Sequence, residues 1–384
     1  MIARQLAQKI LEMAQKFPIV SLTGPRQSGK TTLLKHLLPD YQYVSLENQI
    51  TRRFAAEDPI GFLNTYSHQV IFDEVQRVPE LFSYLQTKVD DSNLMGQYIL
   101  SGSQNFVLMQ QISQSLAGRV AILRLLPLSL SEQENANLSP KTPAEWIVNG
   151  SYPALFDRNL LPTDLFPSYI ETYVQRDVRT VLNVRDLSSF QTFLGLCAGR
   201  VGQILNLNSL AVETGITIPT VKAWLSLLES SYIIFLLQPH HENFNKRLVK
   251  SPKLYFYDMG LVCNLLGIEN ERQIETYYQR GSLFENAIIA NLVKNRLNNG
   301  QNPRFYFWQD SNKNEIDVLE TVADEVNLYE IKYTQSPVSE HFKNIVSYRN
   351  ISNKSGKNYL IYAGDQTETR TQGTVIGWEK ASDL

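Results

Sequence analysis

The sequence predicts an α/β protein in three parts. A parallel-sheet domain built round a phosphate-binding loop takes residues 1–130, a helical middle part with a winged-helix pattern takes 131–252, and a second α/β domain takes 253–384. Three observations carry this reading. Gly24 to Thr32 fits the pattern G-x-x-x-x-G-K-[ST] without departure. Ser209 to Trp224 has the apolar rhythm of two helices joined at a glycine. After Gly281, carboxylates and a lysine recur on a helix-like segment and on strand-like ones.

The chain of 384 residues suggests two or three domains at roughly 100–200 residues each. A hydrophobic content of 43% is enough for several cores. With a net charge of −2, no global basic field advertises nucleic acid, so DNA or RNA as a partner would need a local patch. Two cysteines, Cys197 and Cys263, make neither a disulfide framework nor a metal set, and fit a reducing interior. Ile2, Leu6, Ile10 and Met13 fall at helical spacing, unlike the core of a signal peptide. Apolar runs such as Tyr232 to Leu237 are far below the roughly 18–20 residues that span a bilayer. The expectation is a cytoplasmic protein with no membrane partner.

Phe17 to Thr23 reads as a buried strand before the glycine motif. Leu33 to Leu38 reads as a helix with one apolar face, stopped at Pro39. An ordinary glycine turn is the competing reading, and the complete pattern with correct flanks argues against it. Gly24, Pro25, Arg26, Gln27, Ser28, Gly29, Lys30, Thr31 and Thr32 are therefore the expected nucleotide-binding residues. Glycines let the backbone curl until successive N–H groups face phosphate oxygens. The helix N-terminus adds partial positive charge. Lys30 supplies a point charge to the β- and γ-phosphates, and Thr31 a hydroxyl to Mg²⁺. The ligands expected here are ATP and Mg²⁺.

Tyr41 to Leu46 reads as a second strand, followed by a polar stretch from Glu47 to Asp58. Val70 to Glu74 is an apolar strand ending in two carboxylates and resembles a Walker B element. Asp73 is then the expected metal ligand, and Glu74 the group that polarises the attacking water. A buried strand with two acids at its solvent end is the plainer alternative. Gln97 to Asn105 reads as a strand with a polar tip. Strand C-terminal ends line the ligand crevice of a parallel sheet, so Ser103 or Asn105 is placed to sense the γ-phosphate. Arg119, before the strand Val120 to Leu125, is either a finger acting on a neighbouring copy or a surface arginine.

With these segments in this order, ending in Ser115-Leu116-Ala117-Gly118-Arg119, the chain resembles an AAA-class ATPase. More narrowly, it is similar to the prokaryotic AAA-type ATPases with a C-terminal domain of unknown function. The likeness extends over Asp73-Glu74-Val75-Gln76, Tyr173 to Arg179, Lys253 to Asp258, and Asn314 to Asp317. It implies ATP binding and hydrolysis, with Lys30, Glu74 and Arg119 as catalytic residues.

Leu126-Pro127-Leu128-Ser129 is followed by Ser131 to Pro143, polar and punctuated by two prolines, a boundary by composition. Ile170, Tyr173, Val174, Asp177, Val178 and Val181 sit largely at helix spacing; Arg176 and Arg179 could reach a phosphate or pair with Asp177 and Glu171. Ala211, Gly215, Val221 and Trp224 carry the helix-turn-helix rhythm. Tyr232 to Leu237 and Leu254 to Phe256 would form the wing. The second helix carries one basic residue, Lys222; the wing has Lys246, Arg247, Lys250 and Lys253. Winged helices serve as DNA readers and as protein–protein spacers, and both readings stay open. His240-His241 reads as a solvated turn rather than a metal pair.

Gly281 to Leu292 reads as an amphipathic helix bearing Glu285. Phe305 to Trp308, Glu315 to Leu319 and Asn327 to Lys332 read as strands. Alternation places Glu330 and Lys332 on one face and Ile331 on the other. Glu285, Asp317, Glu330 and Lys332 resemble the site of the restriction-endonuclease-like fold. That resemblance implies a metal held by Glu285, Asp317 and Glu330, with Lys332 catalytic beside the attacked phosphate. A surface hairpin of alternating charge is the alternative. The function expected is an ATP-hydrolysing motor or switch coupled to a nuclease-like domain. The alternatives are an ATP-driven switch with a non-cleaving binding module and, less well supported, a small-molecule kinase. A second copy of the chain is a further candidate partner.

Overall fold

The structure is a computed structural model describing residues 2–103, 108, 112, 114–174, 187–240, 251–310, 312–352 and 354–384. Asn105, Arg176, Asp177, Arg179, His241, Lys246, Arg247 and Lys250, singled out above, lie outside the described residues. The chain divides into two compact units: Met1–Leu128 with Ser230–Tyr232 and Arg296–Gln301, and Ser129–Glu229 with Ile233–Asn295 and Asn302–Leu384.

The first unit holds β1 (Ile19–Thr23), β2 (Gln42–Ser45), β3 (Val70–Asp73), β4 (Tyr98–Gly102) and β5 (Val120–Arg124), in the order β2-β3-β4-β1-β5. Every pair is parallel. Parallel strands are covered on both faces, which is why these segments read as near-continuous apolar runs. Alternation splits them between two cores. Ile19, Val70, Phe72, Tyr98 and Leu100 face one, and Val20, Leu22, Ile71 and Ile99 the other. Helices α1 (Leu6–Ala14) and α2 (Lys30–Leu37) contribute to the second core; α4 (Pro59–Thr65) and α5 (Leu81–Ser92) contribute to the first.

The polar stretch after β2 is not a loop: it forms α3 (Gln49–Glu57), followed directly by α4. Asn48 accepts from the N–H groups of Ile50 and Thr51, and Asp58 from that of Gly61, so each helix has its own cap. Only Ala55 of α3 is fully buried, and its polar composition masked the one-turn spacing of Ile50 and Phe54.

In the second unit α6 (Leu130–Asn135) starts at a Ser129–Glu132 capping box, inside the stretch expected as a linker. Helices α7 (Pro143–Asn149), α8 (Pro153–Asp157), α9 (Pro162–Tyr169) and α10 (Leu187–Ala198) follow. Then α11 (Leu207–Thr214) and α12 (Ile218–Ser230) are joined through Gly215, at φ 74°. Trp224 of α12 packs edge-on against Phe190 and Phe193, each at 5.2 Å.

β6 (Ile234–Pro239) and β7 (Lys253–Phe256) pair antiparallel, as a wing would. They do not stand apart. β6 also pairs with β8 (Phe305–Gln309), and the two strands end an eight-stranded sheet. That sheet continues through β9 (Glu315–Val322), β10 (Glu325–Lys332), β11 (Asn358–Tyr362), β13 (Gly373–Gly377) and β12 (Glu368–Arg370). Position 252 thus lies between two strands of one sheet. Helices α13 (Met259–Leu265), α14 (Glu271–Thr276), α15 (Arg280–Asn298) and α16 (Lys343–Ser352) complete the chain. No described helix is long and apolar enough to cross a membrane.

Candidate functional sites: a phosphate-binding loop and a buried acid–lysine group

Between β1 and α2 the backbone takes positive φ at Gly24 (154°), Gln27 (61°) and Gly29 (89°). A Cβ on Gly24 would lie 2.1 Å from the carbonyl oxygen of Leu125, so only glycine fits there. Buried Lys30 donates to the carbonyls of Gly24 (2.9 Å) and Pro25 (2.8 Å), inside the curl of the loop. Burial pushes its ammonium down to a pKa of about 8, against the pull of Glu74 and Asp73. Ser28 Oγ is buried without a hydrogen-bond partner.

β4 separates the strand of the loop from β3. Asp73 at the end of β3 nevertheless meets the start of α2: Thr31 Oγ1 donates to Asp73 Oδ2 at 3.0 Å. Tyr43 donates to the same oxygen at 2.6 Å, and Lys35 Nζ lies 3.6 Å from the centre of the Tyr43 ring. Burial and the Asp73 carboxylate push the Tyr43 phenol well up. Tyr43 was missed in the sequence, where it reads only as one residue of a strand. Glu74 sits at φ 53°, a left-handed conformation uncommon for a side-chain-bearing residue and typical of functional turns. Its Oε2 accepts from Ser103 Oγ (3.2 Å) and from Gln76 Nε2. Of the two candidate sensors, Ser103 is thus in contact with Glu74, and Asn105 lies outside the described residues.

Arg4 is a further residue the sequence did not mark. It is buried and donates to Ser28 O in the loop (2.8 Å) and to Leu126 O after β5 (2.7 Å). Arg119 pairs with Asp90 through Nε (2.6 Å) and Nη2 (2.8 Å). It precedes Val120, which is level with Ile19, whereas the loop follows Thr23, level with Arg124. Arg119 is thus about five residues, or about 16 Å, from the loop end of the sheet.

The second unit brings together side chains from β7, α15, β9 and β10. Lys332 Nζ lies 2.8 Å from Glu330 Oε1 and 3.4 Å from Asp317 Oδ2. The N–H of Ile331 also donates to Asp317 Oδ2, at 2.7 Å. Lys253 Nζ lies 3.5 Å from Glu285 Oε1 and donates to Glu315 Oε1. Tyr255 donates to Glu285 Oε1, and Gln309 to Glu315 Oε2 at 2.9 Å. Glu285, Asp317, Glu330 and Lys332, expected as one site, are thus divided between two lysines, Lys253 and Lys332. Burial, with Asp317 beside it, pushes Glu330 up to about 8, and burial pushes Glu285 up to about 7. Burial alone would lower both lysines, but the surrounding carboxylates outweigh it and hold them above their usual range. Among the described residues no three His, Cys, Asp or Glu side chains converge as a ready metal set. Lys253, Tyr255 and Glu315 were not assigned to the site from the sequence, although Lys253 and Tyr255 lie in one of the motifs quoted above.

A phosphate-binding loop between strand and helix, with an aspartate from another strand on a threonine in the helix's first turn, defines a P-loop nucleotide-binding domain. Residues 16–134 match the family model described as an AAA domain. Residues 141–272 and 280–380 match two domains of unknown function, DUF8612 and DUF4143. An uncharacterized protein of Mycobacterium tuberculosis is 29% identical over 339 residues, covering 87% of this chain and 74% of the relative. One of Methanocaldococcus jannaschii is 21% identical over 327 residues, covering 77% and 70%. Among solved structures, the Walker-type ATPase of Pyrococcus abyssi is similar at 16% identity and a TM-score of 0.45, covering 69% of this chain and 96% of that one.

Proposed function

We propose that this chain binds and hydrolyses ATP at the loop of its AAA domain, and that turnover is coupled to DNA or RNA processing by Asp317, Glu330 and Lys332. The observation that carries the first half is the meeting of Thr31 with Asp73 across an intervening strand, beside a loop whose curl holds the Lys30 ammonium. The residues fit a nucleotide with Mg²⁺: a hydroxyl and a carboxylate oxygen stand together, and Ser28 Oγ in the loop is buried without a hydrogen-bond partner. Mg²⁺ supplies charge neutralisation on the β- and γ-phosphates when bound. Thr31 and Asp73 would hold it, and Lys30 would neutralise the terminal phosphates. Glu74, released from Ser103 and Gln76, takes the proton of the attacking water. Arg119 acts, if on a nucleotide at all, on that of a second copy, because its own loop is at the other end of the sheet. ATPase and nuclease assays run together on the wild type and Asp317→Ala test both halves.

One observation favours the second reading, a non-cleaving binding module. Lys253 already neutralises two of the acids, as a settled ion-pair group would.

Two results are expected at the loop. Lys30 loses its proton as pH rises through about 8, and the charged form is the one that binds phosphate. Affinity for a fluorescent nucleotide is therefore flat below that pH and falls above it, by at most about tenfold per unit. Affinity unchanged through alkaline pH contradicts a role for this ammonium. Tyr43→Phe removes one hydrogen bond to a charged group, about 1.5 kcal/mol or more. Half-saturating Mg²⁺ in the ATPase assay should rise about tenfold, with the rate at saturating Mg²⁺ little changed; an unmoved Mg²⁺ curve leaves Tyr43 as packing only.

A further inference from the structure

The carboxylates of the second unit are not equivalent. Glu315 has one oxygen on Lys253 and the other on Gln309. Glu285 has Oε1 on both Tyr255 and Lys253. Lys253 is itself fixed: its side chain is 3% exposed, and its ammonium lies 5.4 Å from the centre of the Phe307 ring. These two acids already hold a cation. The other pair differs. Lys332 is partly exposed on a flexible stem and takes only one oxygen each from Glu330 and Asp317. Glu330 is 2% exposed, yet its Oε2 has no hydrogen-bond partner. An unpaired carboxylate oxygen at that burial costs free energy unless something binds it.

We propose that this site takes one divalent cation, on Asp317 and Glu330, and that Lys253 stands permanently where a second cation would lie, between Glu285 and Glu315. This rests on the reading of Asp317, Glu330 and Lys332 as a phosphodiester-processing site, and changes its chemistry. A two-metal site clamps both the attacking and the leaving oxygen. Here one hydrated ion, of the Mg²⁺ or Mn²⁺ kind, has two carboxylates and keeps its remaining waters, which suits a small octahedral cation. The second positive charge is a fixed ammonium that no chelator removes. Glu285 thereby changes role, from a metal ligand to a positioning residue that keeps Lys253 in place with Tyr255.

The test counts Mn²⁺ bound to the full-length, nucleotide-free chain by the electron paramagnetic resonance of the free ion. Differences between variants cancel any ion held at the loop. Glu330→Gln should bind one Mn²⁺ fewer than the wild type. Glu285→Gln should bind the same number as the wild type. Lys253→Ala, which vacates the space between two acids, should bind one more. Thermal melts establish that each variant is folded. If Lys253→Ala does not fold, the Glu285→Gln count decides alone. A lost ion in Glu285→Gln, or an unchanged count in folded Lys253→Ala, overturns the proposal while leaving a metal site in place. No ion lost in Glu330→Gln removes the metal site itself, and the proposal with it. None of these counts depends on cleavage, so an inactive but ion-binding protein still supports the assignment.

Discussion

Lys30→Ala is expected to lower ATP turnover by about 100-fold or more and to weaken nucleotide binding with it. In the structure its ammonium fills the curl of the loop through Gly24 O and Pro25 O, and in the proposed reaction it would neutralise the terminal phosphates. Glu74→Gln separates binding from chemistry. The amide keeps the shape of the carboxylate and its contacts with Ser103 and Gln76, but it cannot accept a proton from water. Affinity should stay within about twofold, while turnover falls by about 100- to 10,000-fold, the range of a lost general base. Isothermal titration with a non-hydrolysable analogue gives the first quantity and a steady-state phosphate assay the second. Full turnover in Lys30→Ala would remove the ATPase reading. Equal losses of binding and rate in Glu74→Gln would move Glu74 from catalysis to structure.

The loop was legible because everything it needs is contiguous. Strand, glycines, lysine and helix follow one another, and each acts through backbone geometry that its own neighbours set. Asp73 and Glu74 were legible for a related reason, since an apolar run that ends in acids is a local pattern. The Mg²⁺ role expected of both Thr31 and Asp73 already implied that the two stand together, but not the sheet order that brings them there. That order, with β4 between β1 and β3, is a matter of tertiary packing. Helix α3 was hidden although its signals are local. Asn48 and Asp58–Pro59 are ordinary helix starts, and Ile50 and Phe54 fall one helical turn apart, but the segment's composition showed only its polarity. Arg4 could not have been found: its partners are 24 and 122 residues away. The acid–lysine group was read halfway. Strand alternation placed Glu330 and Lys332 together, as their 2.8 Å contact shows. Lys253 was assigned to a wing, because nothing local reveals that β6 runs parallel to β8 and makes β7 part of the same sheet.

Mg²⁺-dependent nicking of DNA or RNA, if this chain performs it, should disappear in both Asp317→Ala and Lys332→Ala, for different reasons. Asp317→Ala deletes one of the two carboxylates left for an ion and frees the N–H of Ile331. The remaining acid, Glu330, then faces Lys332 alone. Loss of about 100-fold or more is expected, without rescue at high Mg²⁺, because no other carboxylate of the group is uncommitted. Lys332→Ala keeps both acids and removes the ammonium placed for charge that develops on the attacked phosphate. A loss of about 100- to 1,000-fold is expected there, with Mn²⁺ still bound. It also leaves two acids without the cation that both contact, so its melting temperature should fall more than that of Asp317→Ala. Thermal melts of the same preparations establish that each variant is folded. Cleavage that persists in folded Asp317→Ala does not come from this site. If the wild type turns over ATP but cuts no single-stranded, duplex or structured substrate, the two lysines are best understood as closing an ion-pair core, and the sheet as a binding surface moved by the ATPase.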